Sequence, residues 1–101
     1  MDLFVIGETD TVLGFAYAGV PGVEVADEEE ARRAFREAVD SGRVEMIIIT
    51  ESVARLIREE VDQVRFRGTR PVVVEIPGPA GPAPDRRGLL ELIREAVGIR
   101  V

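Results

Sequence analysis

The sequence predicts an α/β fold: a four-stranded parallel sheet, doubly wound with helices on its faces, followed by a C-terminal helix beyond a Pro/Gly-rich spacer. Three observations carry this. Short runs rich in Val and Ile recur four times, at Leu3 to Ile6, Val23 to Val25, Val44 to Ile49 and Pro71 to Ile76. The third and fourth runs are nearly continuous in apolar residues, which means burial on both faces, as in a parallel sheet covered by helices. Helical patterns separate the runs, and because βαβ crossovers are right-handed the expected strand order is 2-1-3-4.

Each element has its own signal. After the first strand, a short helix is expected from about Thr11 to Ala18, where Thr-Val-Leu-Gly-Phe-Ala-Tyr-Ala-Gly includes two glycines. Each glycine costs about 1 kcal/mol in a helix interior relative to alanine, so something is expected to approach that backbone closely. The clearest helix runs from Asp27 to about Ser41, with Ala31, Ala34, Phe35, Ala38 and Val39 forming one apolar stripe. Asp27 and Glu30 form a capping-box pattern, Glu28 and Glu29 favour the positive helix end, and Gly42 stops it. Glu28/Arg32, Glu29/Arg33 and Arg33/Glu37 are expected as i,i+4 ion pairs. A third helix should begin near Thr50 or Ser52 and reach about Val64, burying Val53, Leu56, Ile57, Val61 and Val64, with Gly68 marking its exit.

Residues 77–87 form the spacer, with four prolines and two glycines between Pro77 and Pro84, which neither helix nor sheet accommodates. From about Gly88 to Val97, Leu89, Leu90, Leu92, Ile93, Ala96 and Val97 surround more than half a helix, too wide a band for one surface. So short a helix is marginal alone and needs a second surface to bury it. The organisation is therefore an α/β domain over 1–76, a spacer over 77–87 and a C-terminal helical segment over 88–101.

Composition narrows the function classes. The 101 residues fit one small domain, and 46% apolar residues can build a packed interior. A net charge of −6 opposes nucleic-acid binding, because phosphate contact needs a concentrated basic face. The N-terminus has no positively charged leader region, and no apolar run approaches the length of about 18–20 residues that spans a bilayer, so the expected protein is soluble and unprocessed. There is no cysteine or histidine, and all 13 basic residues are arginine. Thiolate, imidazole and lysine chemistry are thereby missing.

Ligands bind open α/β sheets beyond the C-terminal ends of the strands, so the loops after Ile6, Val25, Ile49 and Ile76 are the places to look. A dinucleotide site wants a glycine-rich turn after the first strand, whereas Gly7-Glu8-Thr9-Asp10 offers carboxylates that repel a pyrophosphate. A phosphate-cradling loop needs a lysine that the chain lacks. The response-regulator receiver shares the alternating architecture, and Glu8 and Asp10 imitate its acidic pair. Thr50-Glu51-Ser52 stands where its phosphoacceptor Asp would follow the third strand, however, and there is neither lysine nor a fifth strand. Glu8 and Asp10 as magnesium ligands lose to a plainer reading, in which Asp10 or Thr9 caps the next helix and Glu8 is solvated. Glu75, in an apolar strand, is expected to point to solvent or to an arginine. No catalytic, cofactor-binding or metal-binding residue is assigned.

Phe15 and Tyr17 admit two readings: both are partner anchors, or Phe15 is core and Tyr17 packs at the rim. Gly14 and Gly19 on the same segment are hard to justify by core packing alone, which leaves the two readings about level. The order of Leu3-Phe4-Val5-Ile6-Gly7-Glu8-Thr9-Asp10-Thr11-Val12-Leu13-Gly14-Phe15, then Ala18-Gly19-Val20, Ile47-Ile48-Ile49-Thr50-Glu51, Val74-Glu75-Ile76-Pro77-Gly78-Pro79 and Arg94-Glu95-Ala96-Val97-Gly98-Ile99-Arg100-Val101 resembles the family of F subunits of archaeal/vacuolar-type (V/A-type) rotary ATP synthases. Ala16, where a longer and often charged residue is expected, and the long proline-rich spacer depart from that pattern.

The resemblance implies a receiver-like N-terminal domain and a C-terminal helical segment bound to the long coiled-coil D subunit of the central rotor stalk. Catalysis would belong to the A and B head subunits, and this chain would couple ATP synthesis or hydrolysis to rotation and to proton or sodium transport. It would carry no cofactor, bind no nucleic acid, insert no segment into the membrane, and sit on the cytoplasmic side as a peripheral part of the complex. The expected partner-binding residues are Gly14, Phe15, Tyr17, Gly19, Leu89, Leu90, Leu92, Ile93, Ala96, Ile99 and Arg100. The alternative is a stand-alone receiver-like regulatory or ligand-binding domain without phosphoacceptor chemistry, its last helix packed on its own sheet.

Overall fold

The computed structural model describes residues 2–78. Within them the elements are β1 (Leu3–Gly7), α1 (Thr9–Tyr17), β2 (Gly22–Glu24), α2 (Glu28–Asp40), β3 (Met46–Thr50), α3 (Glu51–Leu56), α4 (Arg58–Arg67) and β4 (Val72–Ile76). All pairs are parallel and the order is β2-β1-β3-β4, as the alternation of patterns predicted. The assignments over the rest of the spacer and the C-terminal helical segment, including Leu89, Leu90, Leu92, Ile93, Ala96, Ile99 and Arg100, lie outside the described residues.

Among the described residues the two faces of the sheet are unequally covered. Ile6, Ile47, Ile49 and Val73 pack against α2, α3 and α4 through Ala31, Phe35, Ala38, Val53, Ile57, Val61 and Val64. Phe35 is among the largest fully buried side chains, and burial of one such ring stabilises by about 3 kcal/mol. Alternate strand residues turn the other way: Val5, Ile48 and Ile76 meet Val12, Phe15 and Val20 of the α1 segment, with Met46 and Val74 alongside. Period-two alternation thus sorts each strand between a thick core and a thin one.

Capping of α2 follows its sequence signal. The Asp27 carboxylate accepts from the Glu30 N–H at 2.8 Å, while Glu30 reaches back to accept from the Ala26 N–H at 2.8 Å. Gly42 then turns the chain with φ +72°. Of the three expected helix-surface pairs only Glu28/Arg32 forms; Arg32 turns its second nitrogen to Glu60 of α4 and so ties the two helices.

The expected single helix from Thr50 to Val64 is two helices. Ile57, with φ −125° and ψ 41°, interrupts it, and no proline or glycine announces the break. The interruption puts Ile57 fully inside while Leu56, expected to be buried, stands exposed. Helix α4 also outlasts its expected end by three residues, to Arg67, where Gly68 closes it with φ +66°.

Candidate functional site

The turn between β1 and α1 faces the turn between β3 and α3, at the point where the strand order reverses. Parallel pairing of Ile6 with Ile49 brings Glu8 and Thr50 to this crevice. Thr50 is fully buried; its hydroxyl caps α3 by accepting from the Val53 N–H at 3.4 Å and lies 3.4 Å from the Ser52 hydroxyl. Ser52 in turn donates to the Glu8 carboxylate. Glu8 is therefore partly buried and engaged rather than solvated, and its Oε1 is buried without a hydrogen-bond partner. Burial opposes ionisation of Glu8, but the Ser52 and Thr50 hydroxyls outweigh it and hold the carboxyl below its ordinary range.

Neither Thr9 nor Asp10 caps α1. Glu8 occupies the cap position without a side-chain bond to the helix, and the Thr9 hydroxyl donates to Glu24 across the turn instead. Beside the crevice lies a recess of about 740 Å³ with Val25, Val53 and Leu56 on its apolar side and Glu8, Glu24 and Glu30 on its polar side. Three carboxylates, with no cation among the described lining residues, oppose phosphate there. Ser52 donates a hydrogen bond to the Glu8 carboxylate, whose lowered pKa makes it a weak base for activating a hydroxyl. Asp10, the other half of the acidic pair, lines a different groove with Thr11, Gly14, Phe15, Ala18, Ile76 and Pro77. Among the described residues no group of three or more acidic side chains is placed to hold a metal ion.

Glu75 sits at the edge of the sheet and points to arginine, one of its two expected directions. Arg58 grips it in bidentate fashion at 2.6 and 2.8 Å, and Arg65 adds a contact at 2.9 Å. The Arg58 hydrogen bonds, opposed by burial and aided by the Arg65 charge, hold the Glu75 carboxyl below its ordinary range. Arg65 also donates to the Val73 carbonyl at 3.3 Å, occupying a backbone acceptor of β4.

The residues expected to bind a partner separate on α1. Phe15 is half-buried and packs against the thin core. Tyr17 is 86% exposed and Leu13, one turn earlier, is 51% exposed. Gly14 lies in the same exposed stretch, and a β-carbon there would meet nothing of this chain within 4 Å. Gly19 is explained locally: it lies beyond the helix with φ +85°, a conformation that favours glycine. Sequence reasoning missed Leu13, which shares a helix face with Tyr17 at spacing i,i+4; projecting the segment on a helical wheel finds it. No helix among the described residues is long and apolar enough to cross a membrane.

Comparison with known proteins agrees from end to end. Residues 3–93 match the family model described as ATP synthase (F/14-kDa) subunit. The chain is 35% identical to the F subunit of the A-type ATP synthase of Methanocaldococcus jannaschii over 100 residues, covering 98% of this chain and 97% of that relative. It is 32% identical to the corresponding F subunit of Thermococcus gammatolerans, over all of this chain and 98% of the relative. The Methanothermobacter thermautotrophicus protein of the same name is 30% identical, over 99% of this chain and 95% of its own length.

Proposed function

Because the chain belongs to the family of ATP synthase (F/14-kDa) subunits, we propose that it is the F subunit of an A-type rotary ATP synthase, a non-catalytic component of the central stalk. The observation that carries this is the near-complete two-way coverage by relatives named as F subunits of A-type ATP synthases, which leaves no room in the match for a different whole-chain architecture. The strand-end crevice supports a non-catalytic role: the Ser52 hydroxyl is tied to Glu8, Glu8 is held below the ordinary carboxylate range, and no cation among the described residues lines the recess.

In this reading the A and B head subunits turn over ATP, and this chain rides on the D-subunit coiled coil, coupling turnover to rotation and ion transport from the cytoplasmic side of the membrane. Two surfaces make the contact. One is the outer side of α1, where Leu13 and Tyr17 stand out of a helix with a single charged residue, Asp10. The other is the segment over 88–101, where Leu89, Leu90, Leu92, Ile93, Ala96 and Ile99 bury against the stalk and Arg100 pairs with acidic partner groups. Burial of Leu13 and Tyr17 contributes about 1.5–3 kcal/mol each before the entropic cost of association.

Co-expression with the cognate D subunit and size-exclusion chromatography of the product test the proposal. A stable complex is expected. Leu13→Asp with Tyr17→Asp, and separately Leu92→Asp with Ile93→Asp, should abolish it while the α/β domain keeps its circular dichroism. Failure of the unmodified chain to bind, or intact binding by both double variants, overturns the reading.

A further inference from the structure

We propose that the last turn of α4 is a further protein-docking point, where Phe66 is the anchor and Arg67 selects a partner surface with an apolar recess bordered by carboxylates. The inference rests on the chain being a component of a larger complex, and it names a surface on the opposite face of the sheet from α1.

Phe66 is 91% exposed, the most exposed large apolar side chain among the described residues, so its ring stabilises little of the chain's own fold. The turn that carries the ring is nevertheless held in place. Its neighbour Val64 is buried, Arg65 is bound to Glu75 and to the Val73 carbonyl, and the Gly68 N–H bonds the Arg65 carbonyl at 3.1 Å to close the helix. An aromatic side chain on a fixed turn loses little freedom when a partner covers it, the property of an interface anchor.

Charge identifies the partner. Although the chain carries −6 overall, the stretch from Gln63 to Val74 contains no acidic residue and three arginines. Two of the three are committed, Arg65 to Glu75 and Arg70 to Glu45, while Asp62, one turn before Phe66, is balanced by Arg58. Arg67, which follows Phe66 in the chain, has no ion-pair partner among the described residues and supplies the net positive charge of this stretch. Nucleic acid calls for several free cations along a track. One exposed aromatic ring and one unpaired arginine on the same helical turn fit instead a compact protein surface with a carboxylate near an apolar hollow.

The experiment measures binding of the full chain to the cognate ATP synthase purified from cells lacking this component. Phe66→Ala should weaken binding by about tenfold or more. Arg67→Glu should weaken it and reduce its dependence on ionic strength. Both variants should unfold at the midpoint of the unmodified chain. Wild-type binding by both variants overturns this proposal alone, and a lowered midpoint for Phe66→Ala would assign the ring to the fold and overturn it as well. No binding by the unmodified chain overturns the proposed place in the synthase and this proposal with it. A concentration-dependent dimer of the isolated chain, dissolved by Phe66→Ala, would give the surface to a second copy instead.

Discussion

Gly14→Ala tests the link between fold and partner surface through two effects of opposite sign. Gly14 lies within α1, and a β-carbon there would meet nothing of its own chain within 4 Å. Glycine in a helix interior costs about 0.8–1.0 kcal/mol relative to alanine. With some relief near a helix end, the substitution should stabilise the isolated chain by about 0.5–1 kcal/mol. For a domain of this size that raises the melting midpoint by about 2–6 °C. In the proposed complex the same methyl group occupies the clearance that lets a partner helix approach the α1 backbone. Overpacking of a closed interface costs about 1–3 kcal/mol, which lowers affinity for the D subunit about 5- to 150-fold. Urea denaturation of the purified chain and titration calorimetry with the D subunit read the two effects separately. A destabilised variant would show that the fold itself needs the glycine. Increased stability with unchanged affinity would remove α1 from the interface.

Three further outcomes follow from the geometry. Gly22→Ala places a β-carbon 2.1 Å from Val5 Cγ1 and 2.5 Å from the Val5 carbonyl oxygen, so β2 must move off β1; a loss of about 2–3 kcal/mol in urea denaturation is expected, and a neutral result would contradict the β1–β2 register. Glu75 has a depressed folded-state pKa, so its stabilisation is complete above the ordinary carboxylate value of 4.5 and is lost as pH falls through the lower folded value. Glu75→Gln should therefore be less stable than the unmodified chain at neutral pH and should lose less stability on acidification below 4.5, and parallel acid limbs would refute the ion-pair assignment. Asp27→Ala removes the α2 cap and should cost about 1 kcal/mol, measured against Asp27→Asn, which retains an acceptor and should recover most of it.

The elements readable in the sequence were those with a strong local period or a terminal signal. Four apolar runs and the Asp27/Glu30 cap located the strands and α2 to within about two residues, because burial on both faces and helix capping both act over a few positions. The break at Ile57 had no such signal. It comes from fitting two helical segments onto one sheet, and only the assembled core places Ile57 inside and Leu56 out. The candidate site divided in the same way. Absence of lysine, histidine and cysteine could be read directly, but the pairing of Glu8 with Ser52 joins residues 44 positions apart and depends on the β1–β3 register. Phe15 and Tyr17, two residues apart on a helix, point in different directions, so one is packed and the other exposed. Phe66 escaped notice because the apolar stripe ends at Val64 while the helix continues.

The unequal cover of the sheet by the described helices has a mechanical consequence. Helix α1 contributes no fully buried residue, whereas α2 contributes Ala31, Phe35 and Ala38 to a slab shared with α3 and α4. Local opening of α1 therefore forfeits less packing than opening of any helix in the slab, and its amide protons should exchange faster than those of α2. The slab supplies a stiff backing against which a compliant helix can adjust. A partner gripping α1 would register first as slowed exchange there, and torque applied through that contact would meet its softest element before reaching the rigid one.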